Sequence, residues 1–221
     1  MANCYNEGTG FIVLKEVTPV IDALFSEYML DDSEVTDGKL ELGFRSDEID
    51  SSWESIFERL AEAYEEKGLA VSGVEMSVEE QAKAFVRHLT GSDVDLIAEM
   101  TPEITEANLK DRYLLALKLD DGHGLEALQL DESWYTNKLI QEGFGGHGTF
   151  FGKNYRISSG TSDTIQLGNN LDVVIGTGDL YQTTGAFFYH VKQLLNGIVD
   201  ESKRAGVQKV LAEYLAADKV A

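Results

Sequence analysis

The strongest constraint on the fold is an alternation of β-forming runs and capped amphipathic helices over the first 68 residues. GFIVLKE is a short apolar run, after which Thr18-Pro19 supplies an N-cap and a pre-set first helical residue. KLELGF alternates like a half-buried strand after the turn signal Asp37-Gly38. A capping box of Ser51 and Glu54 then precedes an apolar stripe that ends at Gly68. This segment predicts the order β-α-β-α.

The middle of the chain predicts helices. Ser77 and Glu80 form a second capping box, and the helix that follows ends at Gly91. Shorter helices are predicted at residues 93–100 and from Thr101-Pro102 onward.

The second half predicts an antiparallel meander closed by two helices. From residue 113 the strand-like runs are YLLALKL, LEALQL, WYTNKLI, GTFFG, NYRI and DTIQL. Helical periodicity returns at residues 186–199 and 207–215. The fold class is therefore α+β, with halves at 1–111 and 112–221 that form two domains or one compact domain.

Negative charge is concentrated in the first half. Residues 1–111 carry 26 Asp and Glu against 8 Lys and Arg, net −18, whereas residues 112–221 carry 13 against 10, net −3. Such a field repels nucleic-acid backbones and anionic membranes, and it attracts basic proteins. Direct nucleic-acid or membrane binding is therefore not expected.

The location is predicted from what the sequence lacks. The apolar runs are shorter than the roughly 20 residues of a membrane-spanning helix. The N-terminal residues do not resemble a secretory signal. Cys4 is the single cysteine, which fits a reducing compartment. We expect a cytoplasmic protein of a bacterial host cell, with an unknown oligomeric state.

A glycine pattern raises the question of nucleotide binding. Gly143, Gly145 and Gly148 have the G-x-G-x-x-G spacing of a dinucleotide-binding turn. That turn requires a helix after the glycines, but the strand-like TFFGKNYRI follows. We interpret Gly143–Gly148 as a connection between strands and expect no cofactor.

No catalytic or metal-binding constellation stands out. The histidines lack metal-ligand spacing, although His123 and His147 lie in similar glycine-flanked turns and would form a pair only if the fold brought them together. No G-x-S-x-G elbow is present, and Cys4 lacks an electropositive setting. A non-enzymatic protein without a metal is favoured.

Acidic side chains instead suggest a binding surface. On the helix that follows Ser51, carboxylates recur every four residues on the side opposite the apolar stripe, about 6 Å apart, which is close to the spacing of phosphates along a nucleic-acid strand. A solvated face that only keeps the protein soluble is the alternative. The residues of the predicted surface are Asp47, Glu48, Asp50, Glu54, Glu58, Glu62, Glu65 and Glu66.

One short segment resembles a known group of proteins. Trp134-Tyr135, Lys138 and the Phe-Gly-Gly of residues 144–146 resemble small uncharacterised proteins of bacterial plasmids, integrative elements and phages. The chain departs from them at Leu139-Ile140 and at an inserted Gly143. The resemblance implies a mobile-element origin but no activity. A candidate second contact comprises Trp134, Lys138, Phe144 and His147.

Two function classes follow. The first is a non-enzymatic acidic binding protein of a mobile element, in its sharpest form an anti-defence inhibitor that occupies the nucleic-acid groove of a host nuclease or CRISPR complex. Its partner would be a basic, nucleic-acid-binding host protein. The second is an enzyme or small-ligand-binding protein that uses the glycine-rich sheet of the second half, with the acidic residues serving only solubility.

Overall fold

The fold is α+β, as the sequence predicts. A computed structural model describes residues 4–28, 35, 37–45, 52–69, 75–91, 107–137 and 144–217. A 3-10 turn at Ser26–Tyr28 continues the first helix. The elements are β1 Cys4–Val13, α1 Pro19–Phe25, β2 Lys39–Arg45, α2 Trp53–Glu66, α3 Val78–Thr90, α4 Leu109–Lys118, β3 Ala127–Thr136, β4 Phe144–Gly152, β5 Arg156–Gly160, α5 Thr161–Gly176, α6 Leu180–Asn196 and α7 Glu201–Ala217.

The strands form one antiparallel sheet in the order β2-β1-β3-β4-β5. β1 pairs with β2 from Val13 opposite Lys39 to Glu7 opposite Arg45. β3, β4 and β5 are consecutive neighbours, as in the predicted meander, and β5 is an edge strand. LEALQL from Ala127 on and WYTNKLI up to Thr136, which the sequence predicts as separate runs, both fall in β3. Gly10 is required where β1 passes β3, because a Cβ there would lie 2.0 Å from the carbonyl oxygen of Gln129.

The chain forms two compact units. The first unit comprises Tyr5–Leu130, and the second comprises Asp131–Ala221 together with Met1–Cys4. The first unit contains the hydrophobic core, which the helices α1, α2, α3 and α4 share with the strands β1 and β2 and with the start of β3. Its fully buried side chains include Ile12, Ile21, Leu24, Phe25, Leu40, Ile56, Leu60, Phe85, Tyr113, Leu119 and Leu125.

A buried ion-pair network links three helices of the first unit. Arg112 of α4 is fully buried, and it donates hydrogen bonds to the carbonyl oxygens of Leu24, at 2.8 Å, and Ala107, at 3.1 Å. Its guanidinium also contacts Glu27 at 3.3 Å, and Glu27 accepts a 2.6 Å bond from Arg59 of α2. The network connects α1, α2 and α4 through one carboxylate.

The second unit has a different character, since no residue of α5, α6 or α7 is buried. α5 follows β5 directly, and the carboxylate of Asp163 accepts a 2.7 Å hydrogen bond from the N–H of Gly160. α7 begins after Asp200, whose carboxylate accepts a 2.9 Å bond from the N–H of Lys203. These bonds satisfy backbone donors at the helix starts.

Two predicted strands are helices. YLLALKL lies in α4 up to Lys118, because the side chain of Asn108 caps the helix by accepting a 3.0 Å bond from the N–H of Asp111. Leu, Ala and Lys also favour helix, and an apolar run this short does not separate strand from helix. DTIQL lies in α5, which the Asp163 bond to Gly160 starts.

Other predictions of helix ends have mixed outcomes. The capping box of Ser77 and Glu80 and the left-handed Gly91 at the end of α3 are confirmed. α2 is capped by Ser52, not Ser51, because the Ser52 side chain accepts a 3.2 Å bond from the N–H of Ser55. The helices predicted at residues 93–100 and after Thr101 fall outside the described residues.

Candidate functional site

The acidic side chains of α2 lie on a helix that is fixed at both ends. Ser52 caps its first turn. At its last turn the N–H of Gly68 bonds to the carbonyl of Glu65 at 2.8 Å, and the N–H of Leu69 bonds to that of Tyr64 at 3.2 Å. With Gly68 at a φ of +67°, these bonds form a Schellman motif. The helix therefore holds its side chains in a defined order.

The acidic side chains face solvent. Ile56, Leu60, Ala61, Ala63 and Tyr64 are the buried side of α2. We use the name acidic row for the exposed carboxylates of the same helix, which are Glu54, Glu58, Glu62, Glu65 and Glu66. The pattern predicted from the sequence is therefore formed on the structure.

Few of the described residues neutralise the acidic row. Within the ranges that the structure describes, Glu54, Glu58, Glu62 and Glu66 form no ion pair with Lys or Arg. Glu65 accepts a 2.9 Å hydrogen bond from the neutral side chain of Gln81 on α3. The cation on the same helix, Arg59, is committed to Glu27. The predicted neighbours Asp47, Glu48 and Asp50 fall outside the described residues.

The units also differ in charge. The first unit contains 29 Asp and Glu against 10 Lys and Arg, net −19. The second contains 10 against 8, net −2. The acidic row therefore belongs to the unit that carries nearly all of the negative charge, and its local field adds to that of the unit.

The predicted second contact is not one surface. The ring of Trp134 covers Gly145, where a Cβ would lie 2.1 Å from a ring carbon. His147 is two residues beyond Gly145 on β4 and shares that face, whereas Phe144 points to the other face and is 58% exposed. Lys138 falls outside the described residues. The structure thus groups Trp134 with His147 and separates Phe144 from them.

His147 belongs to a polar cluster that sequence reasoning missed. Its Nε2 lies 2.5 Å from the hydroxyl of Ser158 on β5, which is also 2.8 Å from the hydroxyl of Thr149. The pairing of Thr149 with Ser158 brings these side chains together. Burial raises the pKa of Glu132, and the nearby His147 lowers it by a smaller amount. Only the strand register, which the sequence does not state, could have revealed the cluster.

A cavity lies beside this cluster. β5, α5 and α6 line an open pocket of about 720 Å³, and its polar lining includes Ser158, Ser159, Asp163, Asn170, His190 and Gln193. Arg156 and Gly160 direct their N–H groups away from β4, to Gly197 and Asp163. Along an edge strand, every second residue directs its backbone N–H and C=O away from the neighbouring strand. The N–H and C=O of Ser158 therefore also point away from β4, towards this cavity.

The glycine pattern has a different role from the predicted one. Gly145, Gly146 and Gly148 lie within β4, so they are strand residues and not a connection between strands. β5 follows β4, so the helix N-terminus that a dinucleotide-binding turn needs does not come after them. Gly145 is required because Trp134 occupies the space of its side chain. Gly143 falls outside the described residues.

The other histidine singled out in the sequence, His123, makes its contacts within the first unit. His123 is buried in the first unit, not exposed in a turn. Its Nδ1 accepts a 2.8 Å bond from the N–H of Leu125, and its Nε2 lies 3.1 Å from the carbonyl oxygen of Ala116, which together define the neutral ring with a proton on Nε2. His123 belongs to the first unit and His147 to the second.

The described residues contain no cluster of three or more His, Cys, Asp or Glu that could hold a metal ion. Among the described helices, none combines the length and the apolar character of a membrane-spanning segment.

Comparisons with known proteins give no family assignment. No protein-family model matches the chain, and neither a curated protein nor a solved structure matches it significantly. The resemblance around Trp134 stays a prediction.

Proposed function

We propose that this protein is a non-enzymatic binding protein that presents the acidic row to a basic partner. The observation that carries the proposal is an exposed helix face, fixed at both ends, with carboxylates at every fourth position, four of which pair with no Lys or Arg among the described residues. Together with the mobile-element resemblance, this supports an anti-defence inhibitor. The partner would be a host nuclease or CRISPR complex, whose nucleic-acid groove would receive the acidic row.

Rigidity favours binding. Buried side chains hold α2 along its length, and Ser55 and Arg59 both bond to Glu27, at 2.9 and 2.6 Å. A surface that is ordered before binding loses less conformational entropy when a partner docks. The backbone positions and the spacing of these glutamates are therefore set by the fold before a partner binds.

The electrostatic cost of the acidic row also favours a cationic partner. Like charges four residues apart on a helix cost roughly 0.2–0.5 kcal/mol per pair. Lysine and arginine side chains of a nucleic-acid groove would relieve this repulsion. The net charge of −19 on the first unit would accelerate the encounter, in a manner that salt weakens.

The test replaces charge without changing helix propensity. The variant Glu54→Gln, Glu58→Gln, Glu62→Gln removes three charges from the acidic row. The control Glu41→Gln, Glu75→Gln, Glu126→Gln removes three exposed charges elsewhere in the same unit. Each protein competes with duplex DNA for purified bacterial nucleic-acid-binding proteins: a restriction endonuclease, an RNA-guided nuclease and a histone-like protein.

We expect the wild type and the control to displace DNA from at least one of these proteins. The acidic-row variant should displace it at least tenfold less effectively, and its residual binding should depend less on salt. Equal competition by the two variants would show that the acidic row is only a solvated face.

A second candidate is a small-ligand-binding protein or an enzyme. It is favoured by the 720 Å³ cavity, which is within the usual size range of roughly 300–1,000 Å³ for ligand sites. Ser158, with His147 against its hydroxyl, lies at this cavity. Thermal stabilisation by a metabolite in a screen, lost in Ser158→Ala, would support this function.

A further inference from the structure

The exposed apolar residues are concentrated in one part of the chain. Among the described residues, 14 of the 19 large hydrophobic side chains that are exposed lie between Ile165 and Leu215. Tyr181 is 90% exposed and Tyr214 is 71% exposed. The five aromatic members alone expose on the order of 600 Å², given about 200 Å² per aromatic side chain, and the nine aliphatic members add to this.

α7 carries one regular part of this surface. Gly206, Val207, Val210, Leu211 and Tyr214 recur at spacings of three and four residues, and together with Lys203 they form an open, almost wholly apolar face of the helix. We call these five residues the α7 stripe. Spacing of this kind is the pattern of a helix that packs against another helix, and Gly206 allows close approach.

The start of α7 is held in place, so the stripe is presented by a fixed helix. Arg204 donates hydrogen bonds of 2.9 and 3.1 Å to the carbonyl oxygen of Ile198. Asp200 caps the first turn by accepting from the N–H of Lys203, which holds the pKa of the Asp200 carboxyl below its usual range.

Charge identifies the occupant of this surface. The second unit has a net charge of −2, so two copies of the chain can meet through it with little repulsion. The first units of two copies, each with a net charge of −19, repel one another. Helices that lie on membranes carry an excess of Lys and Arg on their polar face, but α5 has neither residue, and in α7 Lys203, Arg204 and Lys209 are largely offset by Glu201 and Glu213. A lipid surface is therefore disfavoured, and a nucleic acid is disfavoured by the net charge of −2 on the second unit.

We infer that the helices of the second unit associate with those of a second copy of this chain, with the α7 stripe at the centre of the interface. A two-fold axis between Val207 and Val210 makes two α7 helices antiparallel. By residue count, Glu213 of one copy then lies opposite Arg204 of the other, so opposite charges meet at both ends. A standard interface buries about 800 Å² per partner, an area that the exposed side chains can supply. This inference is independent of the acidic row.

The first test is the mass of the full chain by analytical ultracentrifugation. We expect wild type at micromolar concentration to sediment at twice the chain mass of 24.4 kDa or more. Val207→Glu with Val210→Glu should sediment at the chain mass. The control, Val78→Glu with Asn108→Asp, adds the same two charges to the first unit and keeps a good N-cap at residue 108, so it should behave as wild type.

Crosslinking keeps the inference testable if the glutamate variant does not fold. In a Cys4→Ser background, Val210→Cys should be joined between chains by a short bis-maleimide. Ser202→Cys should not be joined between chains. In this arrangement residue 202 of one chain lies opposite residue 215 of the other, so the two copies of residue 202 are separated by roughly 20 Å along the helix axis.

Three results would overturn the inference. The first is a wild type that is monomeric together with a Val207→Glu, Val210→Glu variant that is less stable, which would mean that the stripe is covered by its own chain. Another is flotation of wild type with phosphatidylcholine vesicles that the glutamate pair abolishes. The third is equal self-association of the wild type and the glutamate pair.

Discussion

At the scale of single residues, Arg112 shows what the sequence could not reveal. Arg112 follows Lys110 and Asp111 and looks like a surface residue from the sequence, yet its guanidinium is buried and bonded to Leu24, Ala107 and Glu27. Its partners are as far as 88 residues away, so no local pattern encodes them. The exposure of the acidic row, in contrast, follows from the helical period alone.

Glu132 gives a pH-dependent prediction. Burial raises its pKa, so the unfolded chain releases this proton more readily than the folded protein does. Its contribution to stability is therefore present below about pH 4, the ordinary range for Glu, and is lost as the pH rises through the folded pKa. We expect Glu132→Gln to raise the urea midpoint at neutral pH and to leave it unchanged at acid pH.

The control for Glu132 is its neighbour on β3. Asp131→Asn removes an exposed carboxylate one residue away, on the opposite face of the strand. It should not reproduce the gain at neutral pH. If it raises the midpoint as much as Glu132→Gln does, the effect comes from net charge and not from burial.

At the scale of elements, the sequence predicts helices better where their ends carry signals. Pro19 predicts α1, and the capping box of Ser77 with Glu80 predicts α3. The short apolar runs of α4 and the start of α5 instead predict strands, because such runs do not separate strand from helix and Asn108 and Gly160 are weak start signals. The sequence does not show which residues pair across the strands, so it does not predict the cluster of His147 with Ser158.

The contact between β3 and β4 gives a prediction at this scale. A Cβ on Gly145 would overlap the Trp134 ring, so Gly145→Ala must displace that ring and should cost about 1–3 kcal/mol of stability. In a Trp134→Ala background the same change should cost less than about 0.5 kcal/mol, because the obstruction is gone. Urea unfolding followed by circular dichroism measures both.

Gly168→Ala is the matched control for this cycle. A Cβ at this position of α5 meets no atom within 4 Å, so the change should be neutral or add up to about 1 kcal/mol through helix propensity. Equal costs of Gly145→Ala with and without Trp134 would contradict the contact.

At the scale of the whole molecule, the charge division separates two kinds of interaction. The unit at −19 carries the acidic row, and the unit at −2 carries the exposed apolar helices. Salt acts on these surfaces differently, because screening weakens attraction between charges and leaves apolar association in place. The sequence predicted the charge division, whereas the exposure of α5 to α7 required the structure.

The last prediction follows from self-repulsion in the first unit. Raising NaCl shortens the screening length from about 10 Å at 0.1 M to about 3 Å at 1 M, which should stabilise a unit of net charge −19. Of the two tryptophans, Trp53 at the start of α2 lies in the first unit and Trp134 in the second. In a Trp134→Phe background, Trp53 fluorescence therefore reports unfolding of the first unit.

We expect the thermal midpoint of this unit to rise with NaCl. The rise should be smaller when Glu54, Glu58 and Glu62 are Gln, because those side chains repel one another at short range. The control with Gln at 41, 75 and 126 should keep more of the salt dependence. Over the same NaCl range, partner binding through the acidic row should weaken, so stability and affinity should change in opposite directions. A thermal midpoint that is constant or falls with NaCl would mean that repulsion among the acidic side chains does not lower the stability of the first unit. The repulsion that favours a cationic partner would then be absent.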